Sequence, residues 1–343
     1  MNNLSINQIS EKKYKKILYL NNNKEGPFSN IEVIKSIQDS LITSNKLKSE
    51  ILPYEIKDKD KKIIAIGLLF KIEIENSKIL LSGGRFGYSQ IQNIVSEINE
   101  IDIQNCFDKF SLANDISLCS LAFDYNGLIT DKKNLNWKTK KINYLIANIF
   151  DSCENGKLSF SAALKRSSLS RGIKLAKKND IVSYITYSEK LLEEWYFSCH
   201  LPRISELNGV NWELNIFKKL INSNCAGLCL AQDKNSPNIL GGCFFIKNDN
   251  VIELFMMSTT KKNQTLGVNY SLTEKLYQYA SELNIKWCNW QASNPPNGPL
   301  VEFKKKWNSK IYNFNISSKI FKKDIKINLL RSKIKNFFIY PEF

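Results

Sequence analysis

The stretch VIELFMMSTTKKNQTLGVNYSLTEKLYQYASELN, residues 251–284, decides the fold of the second half of the chain. Residues 251–258 form a nearly continuous apolar run, which is typical of a buried strand. Residues 270–283 carry apolar side chains three and four positions apart, which predicts a long helix. Together they form a strand–loop–helix unit, a common building block of α/β proteins.

The loop inside this unit has the spacing Q-x-x-G-x-N, set by Gln264, Gly267 and Asn269. The first N–H groups of a helix lack partners within the helix, and the helix dipole adds positive potential there. A phosphate group is a natural ligand for such a position. Glycine allows close backbone approach, and Lys261 and Lys262 add positive charge. The pattern predicts a donor-binding loop, although an ordinary strand-to-helix turn remains an alternative.

The segments around this unit predict a mixed sheet. Three helices are expected at 164–178, 189–200 and 212–221. Strands are expected at 227–232, 239–247, 286–291 and 310–316, with a short helix at 300–307. This order favours an α/β fold with mostly antiparallel strands over a doubly wound parallel sheet.

The first half of the chain also alternates between helical and strand patterns. Helices are expected at 30–42 and 89–101, and strands at 63–74, 79–81 and 119–123. Since 343 residues exceed what one core usually serves, we expect two domains. The polar segment 151–157 marks a boundary, which predicts domains at 1–150 and 151–318 and a basic amphipathic helix at 319–343.

Two motifs in the second half resemble known transferases. The loop with Gln264 and Gly267 resembles the acyl-CoA pyrophosphate loop of the GNAT superfamily, with Asn269 where glycine or alanine is usual. After the 286–291 strand, a polar loop leads to Gly298, then Phe303-Lys304 and Trp307, which resembles the Fem-type transferases. The basic helix at 164–178 and the arginine of CHLPR, Arg203, resemble the same family.

The resemblance implies two tandem GNAT-like domains and an N-acyltransferase. The expected donor is an acyl-CoA or acyl carrier protein thioester, and the acceptor is an amine in cell-envelope or surface-polysaccharide biosynthesis. The alternative is a Fem-type enzyme that transfers amino acids from aminoacyl-tRNA to a peptidoglycan precursor. In either case the donor is a co-substrate, and no permanently bound cofactor is expected.

Two residues are the candidates for catalysis. The resemblance places Lys304 near the donor phosphate or the reaction centre, where a cation stabilises negative charge. Glu253 is the only charged residue of its apolar strand, at a position where some GNAT enzymes carry a base. Burial would raise its pKa and suit it to accept the amine proton, unless the side chain faces solvent.

The chain carries 49 basic and 33 acidic residues, a net charge of +16. An anionic partner explains this excess, and so does compositional drift, because only five of the basic residues are arginine. Arg166, Arg171 and Arg203 are therefore the candidates for binding an anionic acceptor or tRNA. A non-enzymatic nucleic-acid-binding protein remains a further alternative, although no recognisable binding motif supports it.

Metal binding and secretion are not expected. Eight scattered cysteines and one histidine, His200, lack the clustering of a zinc site. The polar N-terminal sequence has no apolar signal region, which favours the cytoplasm. The basic tail either packs on the body of the protein or lies on the anionic inner face of a membrane, where a nucleotide- or lipid-linked acceptor would be reached.

Overall fold

The computed structural model describes residues 4–20, 27–82, 91–94, 99–123, 136–154, 157–158, 167–209, 211–293, 298–323 and 325–334. The chain divides into two compact units. Unit 1 comprises residues 1–142 and 313–343, and unit 2 comprises residues 143–312. The first unit thus ends at residue 142 rather than 150, and the C-terminal segment belongs to unit 1.

Unit 1 is a mixed sheet with helices. Its helices are α1 (Glu11–Leu20), α2 (Ile31–Asn45) and α3 (Glu100–Ala113), with a short 3₁₀ turn at Pro27–Ser29. Its strands are β1 (Ser5–Gln8), β2 (Lys48–Lys57), β3 (Ile63–Ile74), β4 (Ser77–Leu81), β5 (Ile91–Asn93), β6 (Leu118–Ala122), and parts of β7 (Lys138–Asn148) and β15 (Ser309–Ile320).

The strands of unit 1 follow the order β1-β2-β3-β4-β6-β15. In this order, as far as the structure describes the strands, β4 and β6 pair in parallel and the other neighbours pair antiparallel. The apolar run of β3 suits this position, because a strand with neighbours on both sides is buried along most of its length. Tyr54 and Phe107 meet edge to face in the core, with ring centroids 5.6 Å apart.

The helix expected at 89–101 is wrong in the part that the structure describes. Ile91–Asn93 form β5, which pairs with β3 at Ala65, Ile66 and Gly67. Helix α3 begins only at Glu100, where the Asn99 side chain accepts a hydrogen bond from the N–H of Ile101. Tertiary pairing with β3 thus overrides the helical spacing of the apolar residues.

The tail is also not a continuous helix from residue 319. Strand β15 runs to Ile320, and helix α11 spans Ile327–Ile334. Ile325 and Leu330 are buried in unit 1, and Phe321 packs edge to face on Trp137. The apolar side of the described tail is therefore used inside unit 1, and residues 335–343 lie outside the description.

Unit 2 contains the remaining elements. Its helices are α4 (Ser167–Lys178), α5 (Glu189–Trp195), α6 (Leu201–Glu206), α7 (Leu214–Asn222), α8 (Lys261–Gln264), α9 (Val268–Glu282) and α10 (Pro299–Lys306), with a π-helical turn at Tyr196–His200 and a 3₁₀ turn at Ile149–Asp151. Its strands are β8 (Cys153–Glu154), β9 (Lys157–Leu158), β10 (Ile181–Thr186), β11 (Ala226–Asp233), β12 (Ile239–Lys247), β13 (Val251–Thr259) and β14 (Trp287–Ala292), together with part of β7.

The main sheet of unit 2 follows the order β7-β14-β13-β12-β11-β10. Among its described strands, β13 and β14 pair in parallel and the other neighbours pair antiparallel, which confirms the predicted mixed, mostly antiparallel sheet. Helix α9 packs on one face in an apolar core with Leu272 and Leu276. The opposite face carries an aromatic cluster that includes Trp195, Phe217 and Phe255.

The two units repeat one order of elements: a strand, two helical segments, three strands, a helix and a strand. In unit 1 this order runs from β1 to β6, with β5 added, and in unit 2 from β10 to β14. Within the described ranges, we find no helix that is both long and apolar enough to span a membrane.

Candidate active site

The candidate site begins where β13 and β14 stop pairing. The last parallel pair is Glu253 with Asn289. Strand β13 continues through 254–259 and β14 through 290–292, with no further pairing between them in the described part of the chain. The six residues 254–259 extend over about 20 Å of strand. An extra residue, Phe255, bulges opposite β12 just past the last pair, as is common beside active sites.

Glu253 lies fully buried at the start of this opening. Its Oε1 accepts a hydrogen bond from Asn289 Nδ2 at 3.2 Å. Its Oε2 has no partner among the described residues. Burial raises the pKa of Glu253 well above the usual carboxyl value, and the Asn289 hydrogen bond opposes that rise. The expected solvent-facing alternative therefore does not hold, and the carboxyl group keeps its proton to higher pH than an exposed carboxyl group does.

Lys304 lies on α10, and its side chain reaches the end of β14. Its side chain is only 6% exposed, and its ammonium group contacts the carbonyl oxygens of Trp290 and Gln291 and the hydroxyl of Ser293. Burial lowers the pKa of Lys304 to about 8. An ammonium group has three N–H donors, so these contacts leave none for a donor phosphate in this arrangement.

The predicted donor loop links the far end of β13 to α9. Gln264 Nε2 donates to the carbonyl of Thr259 at 3.1 Å, and Thr259 Oγ1 donates to Asn269 Oδ1 at 2.7 Å. Lys261 and Lys262 are exposed. The loop is thus held in shape by its own side chains, with two cations beside the start of α9.

The structure shows why position 267 requires glycine, which the sequence alone did not show. Its φ of +88° lies in the left-handed region, and helix α4 approaches it closely. A Cβ atom at this position would lie 2.8 Å from the backbone nitrogen of Ala176 and 2.9 Å from the carbonyl oxygen of Gly172. Glycine is therefore required for packing on α4 whether or not a ligand approaches the loop.

The three candidate arginines do not form one cluster in the described structure. Arg203 lies within α6 rather than in a loop, and its Nη1 donates to Glu206 Oε2 at 2.8 Å. Arg171 is exposed on α4. Arg166 lies outside the described residues. Helix α6 follows His200 directly. It can contain Pro202 because that residue lies in the first turn of α6, where proline is tolerated.

His200 ends the π-helical turn and is fully buried. Its Nδ1 lies 2.9 Å from Ser258 Oγ on β13. Burial lowers its pKa to about 4, so the ring is neutral at physiological pH. This contact connects the π-helical turn to the end of β13, which leads into the loop predicted to bind the donor. π-Helical turns are frequent at functional sites.

The cysteines are all buried and reduced. Burial raises the pKa of Cys106 to about 11 and that of Cys243 well above its usual value, so these thiols are poor nucleophiles. Among the residues that the structure describes, no three His, Cys, Asp or Glu side chains are grouped to bind a metal.

Unit 1 closes the position that is open in unit 2. The parallel pair β4–β6 is followed by Ser82, whose N–H donates to the carbonyl of Ser120 at 2.8 Å. The Ser82 hydroxyl accepts a hydrogen bond from the N–H of Ala122 at 2.6 Å. Strand β5 then pairs with β3 and forms a bridge between Ile91 and Phe123. The opening in unit 2 is therefore the better candidate site.

Comparison with known proteins identifies the fold. No protein-family profile matches the chain, and no curated protein matches it. Among solved structures, FemX has a TM-score of 0.60 at 10% identity, over 96% of this chain and 100% of that one. The C-terminal domain of a protein from Agrobacterium fabrum described as a lysylphosphatidylglycerol synthetase has a TM-score of 0.55 at 10% identity, over 89% and 96%.

A conserved protein of unknown function from Bacteroides thetaiotaomicron is similar to the same degree, with a TM-score of 0.56 at 10% identity over 93% of this chain and 100% of that one. At such low identity these likenesses establish the fold. The chain has the fold of FemX, in two units that repeat one order of elements, which agrees with the Fem-type resemblance of the sequence motifs.

Sequence reasoning selected Glu253 and Lys304 but missed Asn289, Gln291 and Ser293. Asn289 and Gln291 are polar residues two positions apart in the otherwise apolar strand KWCNWQ. In a regular strand this spacing places two residues on one face, which was the available signal. Their link to Glu253 depends on the register of β13 and β14, which the sequence does not specify.

Proposed function

We propose that the protein is an acyltransferase that moves an acyl or aminoacyl group from an activated donor to an amine. The observation that carries this proposal is the buried carboxyl group of Glu253 at the point where β13 and β14 part. The amine nitrogen attacks the acyl carbonyl carbon, the bond to the donor's sulfur or oxygen breaks, and the amine loses a proton. Ionised Glu253 accepts that proton, directly or through water.

The donor we favour is an acyl thioester of coenzyme A or acyl carrier protein, bound only during turnover. Both carry phosphate, which suits the N-terminus of α9 with Lys261 and Lys262 beside it. Along 254–259, β13 no longer pairs with β14 in the described part of the chain, and we place an extended donor arm beside this edge. Gln264, Gly267 and Asn269 shape the loop at the end of that edge.

The second candidate is an aminoacyl-tRNA-dependent transferase acting on a cell-envelope precursor. The exposed basic residues of α4, Arg171, Lys174 and Lys178, favour a polyanionic donor. A solved protein with this fold is described as a synthetase of lysylphosphatidylglycerol, an aminoacylated lipid. The acceptor amine would then be nucleotide- or lipid-linked, and the enzyme would work in the cytoplasm or at the inner face of the membrane.

Native mass spectrometry of the purified chain tests the proposal. Acyl-CoA, acyl-acyl carrier protein and aminoacyl-tRNA are offered in turn, followed by an amine acceptor, and acceptor acylation is measured. We expect one donor class to bind and to acylate the acceptor. Glu253→Gln should bind that donor yet transfer at least about tenfold more slowly, whereas the exposed control Glu302→Gln should match the wild type. Absence of binding and transfer with all three donors would refute an acyltransferase.

A further inference from the structure

The side-chain amide of Asn289 has a fixed orientation. Its Oδ1 accepts a hydrogen bond from the backbone N–H of Gln291 at 2.8 Å. A backbone N–H only donates, so the atom facing it must be the oxygen. The Nδ2 group therefore points to Glu253, where it donates to Oε1 at 3.2 Å. The carboxyl group is held through one of its two oxygens.

Gln291 is itself held in an unusual conformation. Its φ is +62°, in the left-handed region that residues other than glycine rarely adopt. The ammonium group of Lys304 contacts the carbonyl oxygens of Trp290 and Gln291, on both sides of the Gln291 N–H and Cα. A strained backbone conformation persists only where neighbouring contacts stabilise it. The buried ammonium group, which contacts both carbonyl oxygens, therefore stabilises the left-handed conformation of Gln291.

These contacts form one connected chain. It runs from the Lys304 ammonium to the carbonyl of the Trp290–Gln291 peptide, from the Gln291 N–H of that peptide to Asn289 Oδ1, and from Asn289 Nδ2 to Glu253 Oε1. We propose that Asn289 and Lys304 are positioning residues for Glu253, which fix Oε1 so that the carboxyl group gains and loses its proton at Oε2.

This arrangement decides which atom carries the proton. When Glu253 is neutral, Oε1 remains the carbonyl oxygen because it accepts from Asn289, and the proton is bonded to Oε2. When Glu253 is ionised, Oε2 is the oxygen without a hydrogen-bond partner among the described residues. The consequence for catalysis rests on the proposed function: the amine proton would be transferred to Oε2. Lys304 acts through the strand end and does not contact the donor.

Infrared spectroscopy of the folded protein tests the positioning without any substrate. A buried neutral carboxyl group gives a carbonyl stretching band, which Glu253→Gln assigns by removing it. Asn289→Leu removes the hydrogen bond to the carbonyl oxygen, so the band should shift to higher frequency. Lys304→Met should shift the band in the same direction. If Lys304→Met is insoluble, Lys304→Gln, which retains amide donors but loses the charge, replaces it with the same expectation.

Cys288→Ala is the matched control, because Cys288 precedes Asn289 on β14 and lies in the apolar core. It should lower the melting temperature and leave the band unmoved. An unshifted band in Asn289→Leu would overturn the role of Asn289, and an unshifted band in the Lys304 variants would overturn that of Lys304. Since no donor or acceptor takes part, failure of the proposed acyl transfer would not alter this result.

Discussion

At Glu253, burial and a single hydrogen bond act on the pKa in opposite directions. Burial of the carboxyl group raises the pKa, and the N–H of Asn289 lowers it by favouring the ionised form. Burial prevails, so the folded state binds the Glu253 proton more tightly than the unfolded state does. The chemistry of this residue is therefore set by its place at the end of the β13–β14 pairing.

Replacement of Glu253 should change how stability depends on pH. A raised carboxyl pKa contributes stability that is fully present below the unfolded pKa and is lost as pH rises through the folded value. Glu253→Gln has no such carboxyl group and does not lose this stability. The melting temperature of the variant relative to that of the wild type should therefore increase as pH is raised above ~4.5. Thermal unfolding across pH measures it, with exposed Glu302→Gln as control. A pH-independent difference would show that Glu253 titrates alike in both states.

Replacement of Lys304 should destabilise the fold. Lys304→Ala leaves buried carbonyl and hydroxyl oxygens without their donor, which costs about 1–3 kcal/mol of unfolding free energy. Lys305→Ala is the matched control, because Lys305 pairs with exposed Glu302, and its loss should cost less than about 1 kcal/mol. Urea denaturation distinguishes them. Equal stability of the two variants would show that Lys304 contributes no more to folding than a surface lysine does.

The residues of the site differ in how far the sequence could predict them. Glu253 could be selected because it is the only charged residue in its strand. The burial of Lys304 could not, because Lys304, Lys305 and Lys306 are identical in type and only packing separates the first from its neighbours. The partner of Glu253 could not be found either, since Asn289 lies 36 positions away and meets it only through parallel pairing.

Among the elements, the loop predicted to bind the donor is shaped by packing as well as by its own sequence. The strand–loop–helix order of residues 251–284 was predictable from apolar spacing. The close approach of α4 to Gly267 was not, because contacts between helices distant in sequence leave no local pattern. The wrong prediction at β5 has the same cause. Its apolar spacing is typical of a helix, and pairing with β3, which is distant in sequence, makes it a strand.

Substitution of Gly267 should affect folding as well as ligand binding. Gly267→Ala places a methyl group against the α4 backbone at a positive φ, and the φ alone costs about 1–3 kcal/mol. Gly209→Ala is the matched control, since a Cβ there would meet other atoms at ordinary distances of 3.5 Å. Denaturant unfolding should show a large loss for the first and little for the second. If Gly267→Ala keeps wild-type stability, α4 does not press on the loop.

For the whole molecule, the two units repeat one order of elements and differ in the opening between their parallel strands. Ser82 and β5 close that position in unit 1, whereas in unit 2 the described strands β13 and β14 do not pair beyond Glu253 and Asn289. The length of the chain was enough to predict two units. The return of residues 313–343 to unit 1 was not predictable, because nothing in the sequence of the tail specifies its partner.

The tail should contribute to the stability of unit 1. Leu330 is 2% exposed, so Leu330→Ala should cost about 2–5 kcal/mol of unfolding free energy. Leu112→Ala is the matched control, because Leu112 is 70% exposed and its loss leaves no cavity. The full chain should also sediment equally little with anionic and with neutral liposomes. Salt-sensitive binding to anionic liposomes, with an unaltered melting temperature for Leu330→Ala, would instead place the tail on a membrane.

The burial of all eight cysteines gives the chain a built-in reporter of local opening. Cys106 and Cys119 belong to unit 1, and the other six belong to unit 2: Cys153, Cys199, Cys225, Cys229, Cys243 and Cys288. A thiol reagent should leave the native protein unmodified and add mass only as units unfold. Counting added labels by mass spectrometry during denaturation would then reveal whether two, six or all eight thiols become accessible together, and so which unit opens first.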